Sequence, residues 1–197
     1  MLVLASRSAG RRVLLENAGV PHQVVAALID EDAAKAGLRA EGLGARDLAD
    51  ALAELKALKV SGKRPGDLVL GCDQTLALDD GTMLDKAESL EVIAGQLRNL
   101  SGKTHSLYSA MVIAEGGLAV WRHVERVKMT MRPLSDAFIA DYVAMEGNVL
   151  LGCVGGYRIE GSGVQLFSRI EGSHFAIIGL SLLPLLDYLR TRGVLAS

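Results

Sequence analysis

The sequence predicts an α/β fold built on a mixed sheet, and three observations carry that prediction. Apolar runs of strand length alternate with segments of helical spacing along the chain. Two long runs, 104–114 and 118–131, flank Gly116-Gly117 and read as a hairpin, which adds antiparallel strands to the sheet. Half of the 197 residues are apolar, enough for a substantial core in one domain or in two small lobes around a cleft.

The elements follow in order. Residues 2–5 (LVLA) form a short apolar strand, and Ser8 caps a helix running to about residue 18, closed by Gly19-Val20-Pro21. Residues 22–27 read as a second strand, ended by Ile29-Asp30-Glu31. Leu48, Leu52 and Leu55 repeat at helical spacing within 45–60, before a loop at 61–66. The stretch LVLGCDQTLALDD then supplies a strand at 68–72, a second apolar piece at 75–78 and a turn at Asp79-Asp80-Gly81. A helix at 88–99 precedes the hairpin, and Ser135 caps another to residue 145. A glycine-rich stretch at 147–163 and a closing helix at 182–192 complete the chain, with no internal repeat and no low-complexity linker.

The charge balance excludes some classes of function. A net charge of −2, with both signs interspersed, lacks the basic excess of a nucleic-acid footprint. Only 4% of residues are aromatic, which leaves few stacking platforms for single strands. A small soluble ligand fits better. Cys72 and Cys153 have neither CxxC nor zinc-type spacing and read as buried fillers in a reducing compartment. Apolar residues precede the basic ones at the N-terminus, and no apolar run reaches the roughly 18 residues of a membrane span. A cytoplasmic protein without a membrane partner is expected.

Asp73 poses the sharpest question. Burying an ionised carboxylate without a partner costs several kcal/mol, so Asp73 either breaks its strand or serves a site. Leu100-Ser101-Gly102-Lys103-Thr104 ends like a phosphate-binding P-loop, but the preceding glycine, Gly95, is too distant and falls inside a helix, so Gly102 reads as a turn. Ser6, Ser8 and Arg11 lie between a strand and a helix start, where free N–H groups can cradle phosphate oxygens. An ordinary N-cap with solvated arginines explains the same residues, and local sequence leaves the two open. Lys56 borders the apolar face of its helix and Lys86 follows a turn; each alone reads as a surface lysine. Glu160 sits in a glycine-rich bend that can bring backbone close to a ligand, and His105 and His174 read as structural or surface histidines. Jointly these residues offer cations for a polyphosphate and two carboxylates, Glu31 and Asp73, for a divalent ion.

The order of motifs resembles the Maf family of nucleoside triphosphate pyrophosphatases over nearly the whole chain. Leu4-Ala5-Ser6-Arg7-Ser8 with Arg11 and Leu14-Leu15 resembles the family's LASxSPxRxxLL opening, with Ala9 in place of proline. Ile29-Asp30-Glu31 is similar to its acidic pair, and Leu52-Ala53-Glu54-Leu55-Lys56-Ala57 to its LAxxKA helix. Gly71-Cys72-Asp73-Gln74 resembles G-x-D-[TQ], Lys86 the lysine of GKP with Ala87 for proline, and the segment from Leu100 to His105 with Tyr108 its LSGxxHxVYT. Gly155-Gly156-Tyr157 and Gly179-Leu180 extend the match.

The resemblance implies an elongated mixed sheet flanked by helices, with two lobes around a deep cleft, as in Maf and ITPase-like folds, within one domain over 1–197. It implies hydrolysis of nucleoside triphosphates, modified or non-standard ones included, to monophosphate and pyrophosphate with a divalent cation (Mg, Mn or Co). Asp73 takes the position of the proton acceptor, Ser6, Ser8, Arg11, Lys56 and Lys86 would hold the triphosphate, and Glu31 with Asp73 would take the metal. Gln74 and Glu160 resemble the branch acting on 7-methyl-GTP, whereas Gly10 stands where that branch has tryptophan and Gly152 where the family often has aspartate. The partner expected is the nucleotide, with no stable nucleic acid, and a homodimer is left open. A competing expectation is a nucleotide-binding regulator of septum formation or cell division that senses without hydrolysing.

Overall fold

The computed structural model describes residues 1–196. Seven strands form one mixed sheet in the order β2-β1-β3-β5-β6-β7, with β4 added to β3. Strands β1 (Leu2–Leu4), β2 (His22–Val24) and β3 (Leu68–Leu78) run parallel. The remaining pairings are antiparallel: β4 (Met83–Leu84), β5 (Thr104–Glu115), β6 (Leu118–Met131) and β7 (Phe167–Glu171). The α/β class and the hairpin about Gly116-Gly117 are as expected. No helix among the described residues is long and apolar enough to cross a membrane.

Strand β3 positions the site. It is one unbroken strand through Asp73, not two pieces, because β5 pairs with it from Val69↔Ala114 to Leu78↔His105. Its other edge is only partly covered. β1 pairs residues 68–70 and β4 pairs residues 76 and 77, so residues 71–75 face a gap between two strand partners. This gap lies just past the carboxyl end of β1, where the neighbouring strand changes, the usual place for a ligand in an open α/β sheet.

Side chains alternate across β3 and separate two layers. On one face α3 (Ala45–Ser61) packs Ala49, Ala53 and Ala57 against Ala110, Val112 and Ala114. Gly71 makes that approach feasible: a Cβ there would stand 2.6 Å from Ala57 N and collide with the Ala53 carbonyl. On the other face Leu70, Cys72, Met111 and Ile113 pack against α1 (Ala9–Asn17) and α7 (Leu182–Thr191). Further along that face Leu76, Leu107, Val127 and Met129 form a second cluster with α4 (Leu90–Leu100) and α5 (Asp136–Glu146). Ser8, Ser89 and Ser135 cap α1, α4 and α5 through their side-chain oxygens.

Three local readings need correction. The second strand stops at Val24 instead of residue 27, because its partner β1 has only three residues and the chain leaves the sheet after Val25 N donates to Leu4 O. The acids after it open a helix, α2 (Glu31–Ala40), capped by Asp30. Its less polar face is mostly alanine, with Leu38 its only large apolar residue, and none of its residues is fully buried. The glycine-rich stretch folds into short 3₁₀ turns at Gly147–Gly152, Val154–Gly156 and Ser162–Leu166, followed by β7 and a short helix, α6 (His174–Ile178), that the sequence reading missed.

Candidate active site

The α3 face supplies one wall of the gap. Asp73 is 4% exposed, and Lys56 Nζ lies 2.5 Å from its Oδ1 and 2.8 Å from Glu31 Oε2. Lys56 is thus an interior lysine bridging two carboxylates, and its reading as a surface side chain is corrected: it sits beside Ala57 on the helix face that meets the sheet. Asp73 Oδ2 is buried and has no hydrogen-bond partner among the described residues. Partial burial would raise the Glu31 pKa, but the hydrogen bond and charge of Lys56, with the charges of Lys35 and Lys86, outweigh it and hold the group at about 2. Lys35 also reaches Asp85, which takes a two-pronged contact from Arg39 at 2.8 and 3.0 Å. These pairs dock the otherwise unburied α2 beside the gap.

The opposite face supplies the second wall. Ser6 Oγ accepts from Ser8 N at 3.2 Å and from Arg11 Nη1 at 3.3 Å, and Ser8 Oγ accepts from Arg11 N at 3.4 Å. Arg11 also donates from Nη1 to the Cys72 carbonyl at 3.0 Å and from Nε to the Gly179 carbonyl at 3.0 Å. Its Nη2 has no protein partner among the described residues. The hydroxyls therefore orient the guanidinium and cap the helix together, so the cradle and N-cap readings hold at once. Lys86 follows β4 on the far side of the gap. The surrounding protein lowers its pKa, the charges of Arg11 and Lys56 add to this, and Glu31 and Asp73 oppose it. Lys86 stands just beyond β4, which closes the far end of the gap by pairing with Leu76 and Ala77.

A family model described as Maf-like protein matches residues 1–192. The chain belongs to the Maf family. It is 53% identical over 194 residues to a Caulobacter vibrioides protein named nucleoside triphosphate pyrophosphatase, covering 98% of this chain and 96% of that one. A Hyphomonas neptunium protein of the same name is 54% identical over 196 residues, covering 100% and 98%. A Brucella abortus protein named 7-methyl-GTP pyrophosphatase is 49% identical over 189 residues, covering 96% and 94%.

The three positions of this Maf chain expected to bear on specificity do not cluster around Asp73. Gln74 points to the face opposite Asp73, and its Nε2 donates to the Ala176 and Ile177 carbonyls at 2.9 and 3.0 Å. Gly10 faces Ile178, whose Cγ2 would lie 2.9 Å from an added Cβ. Both therefore bear on α6. Glu160 pairs with Arg158 at 3.3 Å, and Arg158 pairs in turn with Glu146 at 3.2 Å.

Other residues settle as structure. His105 is fully buried with Nε2 2.8 Å from the Tyr157 hydroxyl, and burial lowers its pKa to about 4 against a smaller opposing pull from Asp79. His174 is exposed. Lys103-Thr104 enters β5 and no helix, as the failed P-loop spacing requires. Both cysteines are free; Cys72 is buried as expected, whereas Cys153 is only half-buried. The sequence reading missed the carbonyls of Cys72 and Gly179 as holders of Arg11. Backbone acceptors leave no signature in residue type.

Proposed function

We propose that this protein hydrolyses nucleoside triphosphates, modified or non-standard ones among them, to the monophosphate and pyrophosphate. The observation that carries the reading is Asp73: a buried carboxylate with one oxygen held by Lys56 and the other unpartnered, beside a gap in the sheet ringed by Arg11, Lys56 and Lys86. The names of the Caulobacter and Brucella relatives support the same reaction class.

The chemistry follows from the two walls. A water attacks the α-phosphorus; its oxygen forms the new P–O bond, its proton passes to Asp73 Oδ2, and the bond to the pyrophosphate oxygen breaks. Lys56 fixes Oδ1, which aims the free oxygen at the attacking water. Arg11, oriented by Ser6 and the two carbonyls, presents Nη2 to the phosphates, and Lys86 adds charge from the opposite rim. The triphosphate carries negative charge before attack and the leaving pyrophosphate carries it after, so these cations hold substrate and transition state alike.

The donor set fits a magnesium-like ion. Among the described residues no group of three or more His, Cys, Asp or Glu is placed to hold a metal, but such an ion needs only one or two carboxylates when substrate phosphates complete its shell. Glu31 and Asp73 would hold it, with the substrate phosphates completing its shell. When bound, the ion supplies positive charge against the phosphate oxygens.

The test is a nucleotide panel containing the common triphosphates, dTTP, UTP and 7-methyl-GTP, with magnesium, manganese or cobalt. Monophosphate and pyrophosphate should appear in equal amounts. Orthophosphate alone, or tight nucleotide binding without turnover under every metal, would overturn the assignment.

A further inference from the structure

We infer that Glu125, on a strand that borders neither wall of the gap, is a positioning residue for Arg11, acting through helix α6. This rests on the reading of Arg11 as a phosphate-binding group. The starting observation is a polar row in an otherwise apolar sheet face. Gln74 of β3 pairs with Ser109 of β5, and Ser109 with Glu125 of β6, so the three side chains stand abreast on the face opposite Asp73. On one side of the row lies the cluster of Cys72 and Met111, and on the other that of Leu76, Leu107 and Val127.

Helix α6 is held at both ends from this row. Glu125 Oε1 accepts from Ser173 N, the N-cap position, at 3.1 Å. Gln74 Nε2 donates to the carbonyls of Ala176 and Ile177 in the last turn at 2.9 and 3.0 Å. An acceptor meets the N-terminal end and a donor the C-terminal end, as the orphaned groups of a helix require. Ser109, between them, is fully buried with Oγ unpartnered, so this part of the sheet is polar where apolar packing was available. Five residues of helix have little hold of their own, and these three hydrogen bonds fix where the helix ends.

The end of α6 is what aims Arg11. Gly179, its C-cap at φ 116°, offers the carbonyl that takes Arg11 Nε, and a Cβ there would stand 2.8 Å from that Nε. On the neighbouring turn Ile178 closes over Gly10. A shift of α6 therefore moves the acceptor that orients the guanidinium, while Lys56, Asp73 and Glu31 on the other face keep their contacts.

A double-mutant cycle on the intact protein tests this, with two readouts: the dissociation constant of inorganic tripolyphosphate by calorimetry, and KM and kcat for whichever triphosphate of the panel is turned over fastest. Glu125→Ala should weaken tripolyphosphate binding and raise KM by about fivefold while kcat stays within about twofold. Glu125→Gln, which keeps an acceptor for Ser173 N, should restore both. In an Arg11→Ala background Glu125→Ala should add less than about twofold, since its effect passes through the missing guanidinium. Equal effects of Glu125→Ala with and without Arg11, or a loss carried by kcat alone, would overturn the inference. Unaltered tripolyphosphate binding in Arg11→Ala would instead overturn the role of Arg11 itself, and with it this inference. Absence of turnover with the binding cycle still coupled would leave the positioning role standing and refute only the hydrolase reading.

Discussion

Lys56 resolves the electrostatic problem that Asp73 poses. A lone carboxylate at 4% exposure would carry its desolvation cost unpaired, and the ammonium 2.5 Å away offsets it. The pair is asymmetric, one carboxylate oxygen bound and one free, which suits proton acceptance better than structural support. Asp73→Asn keeps an acceptor for Lys56 and nearly the same volume. It should leave the thermal midpoint within a few degrees yet reduce kcat by about 100-fold or more. Turnover near the wild-type rate would remove Asp73 from the role. That Asp73 is buried and needs a partner was legible from sequence because a charge in an apolar strand is conspicuous. Lys56 was harder, because a lysine bordering an apolar helix face looks the same whether it snorkels outward or points in.

At the scale of elements, the contact between α3 and β3 decides whether Lys56 reaches Asp73 at all. Gly71 and the small residues Ala53 and Ala57 let helix and strand approach closely. Gly71→Ala puts a methyl against α3 backbone, which cannot rotate away, so the helix must move off the strand. Overpacking of this kind costs about 1–3 kcal/mol or more. The variant should show a lowered thermal midpoint together with a drop in kcat, since Lys56 moves with its helix; a variant as stable and as active as the parent would show that the approach is not limiting. Elements with strong periodicity or capping serines, such as α3, α4, α5 and the β5–β6 hairpin, were legible in sequence. α2, β7 and α6 were not: the apolar side of α2 is mostly alanine and its anchors are the ion pairs of Arg39, Lys35 and Asp85, and the other two are five residues long and stand only on tertiary contacts.

For the molecule as a whole, pH sets a limit on stability that the site does not share. His105 has a folded pKa of about 4 against an ordinary 6.5, so the unfolded chain binds the extra proton in between. Stability from the neutral, buried ring is complete above pH 6.5 and is lost as pH falls towards 4, by up to about 3 kcal/mol. Glu31, held at about 2, adds a loss in the same direction at lower pH, from 4.5 downwards. Denaturant unfolding should thus give a free energy that is flat above pH 6.5 and declines by pH 4.5; an unchanged value across that range would contradict the burial of a neutral His105. The chain-wide order of motifs made the family legible in sequence. The sheet edge at which those motifs meet was not, because the gap beside residues 71–75 depends on where β1 stops and β4 starts.

That gap has a consequence for how the protein tolerates change. Its two walls are anchored in different packing clusters, the Asp73–Lys56 wall against α3 and the Arg11 wall on α1, α6 and α7. A substitution absorbed by one cluster does not have to be accommodated by the other. Change can therefore accumulate around Gly10, Gln74 and α6 while Asp73 keeps its surroundings, which makes this sheet edge a modular point for redesign.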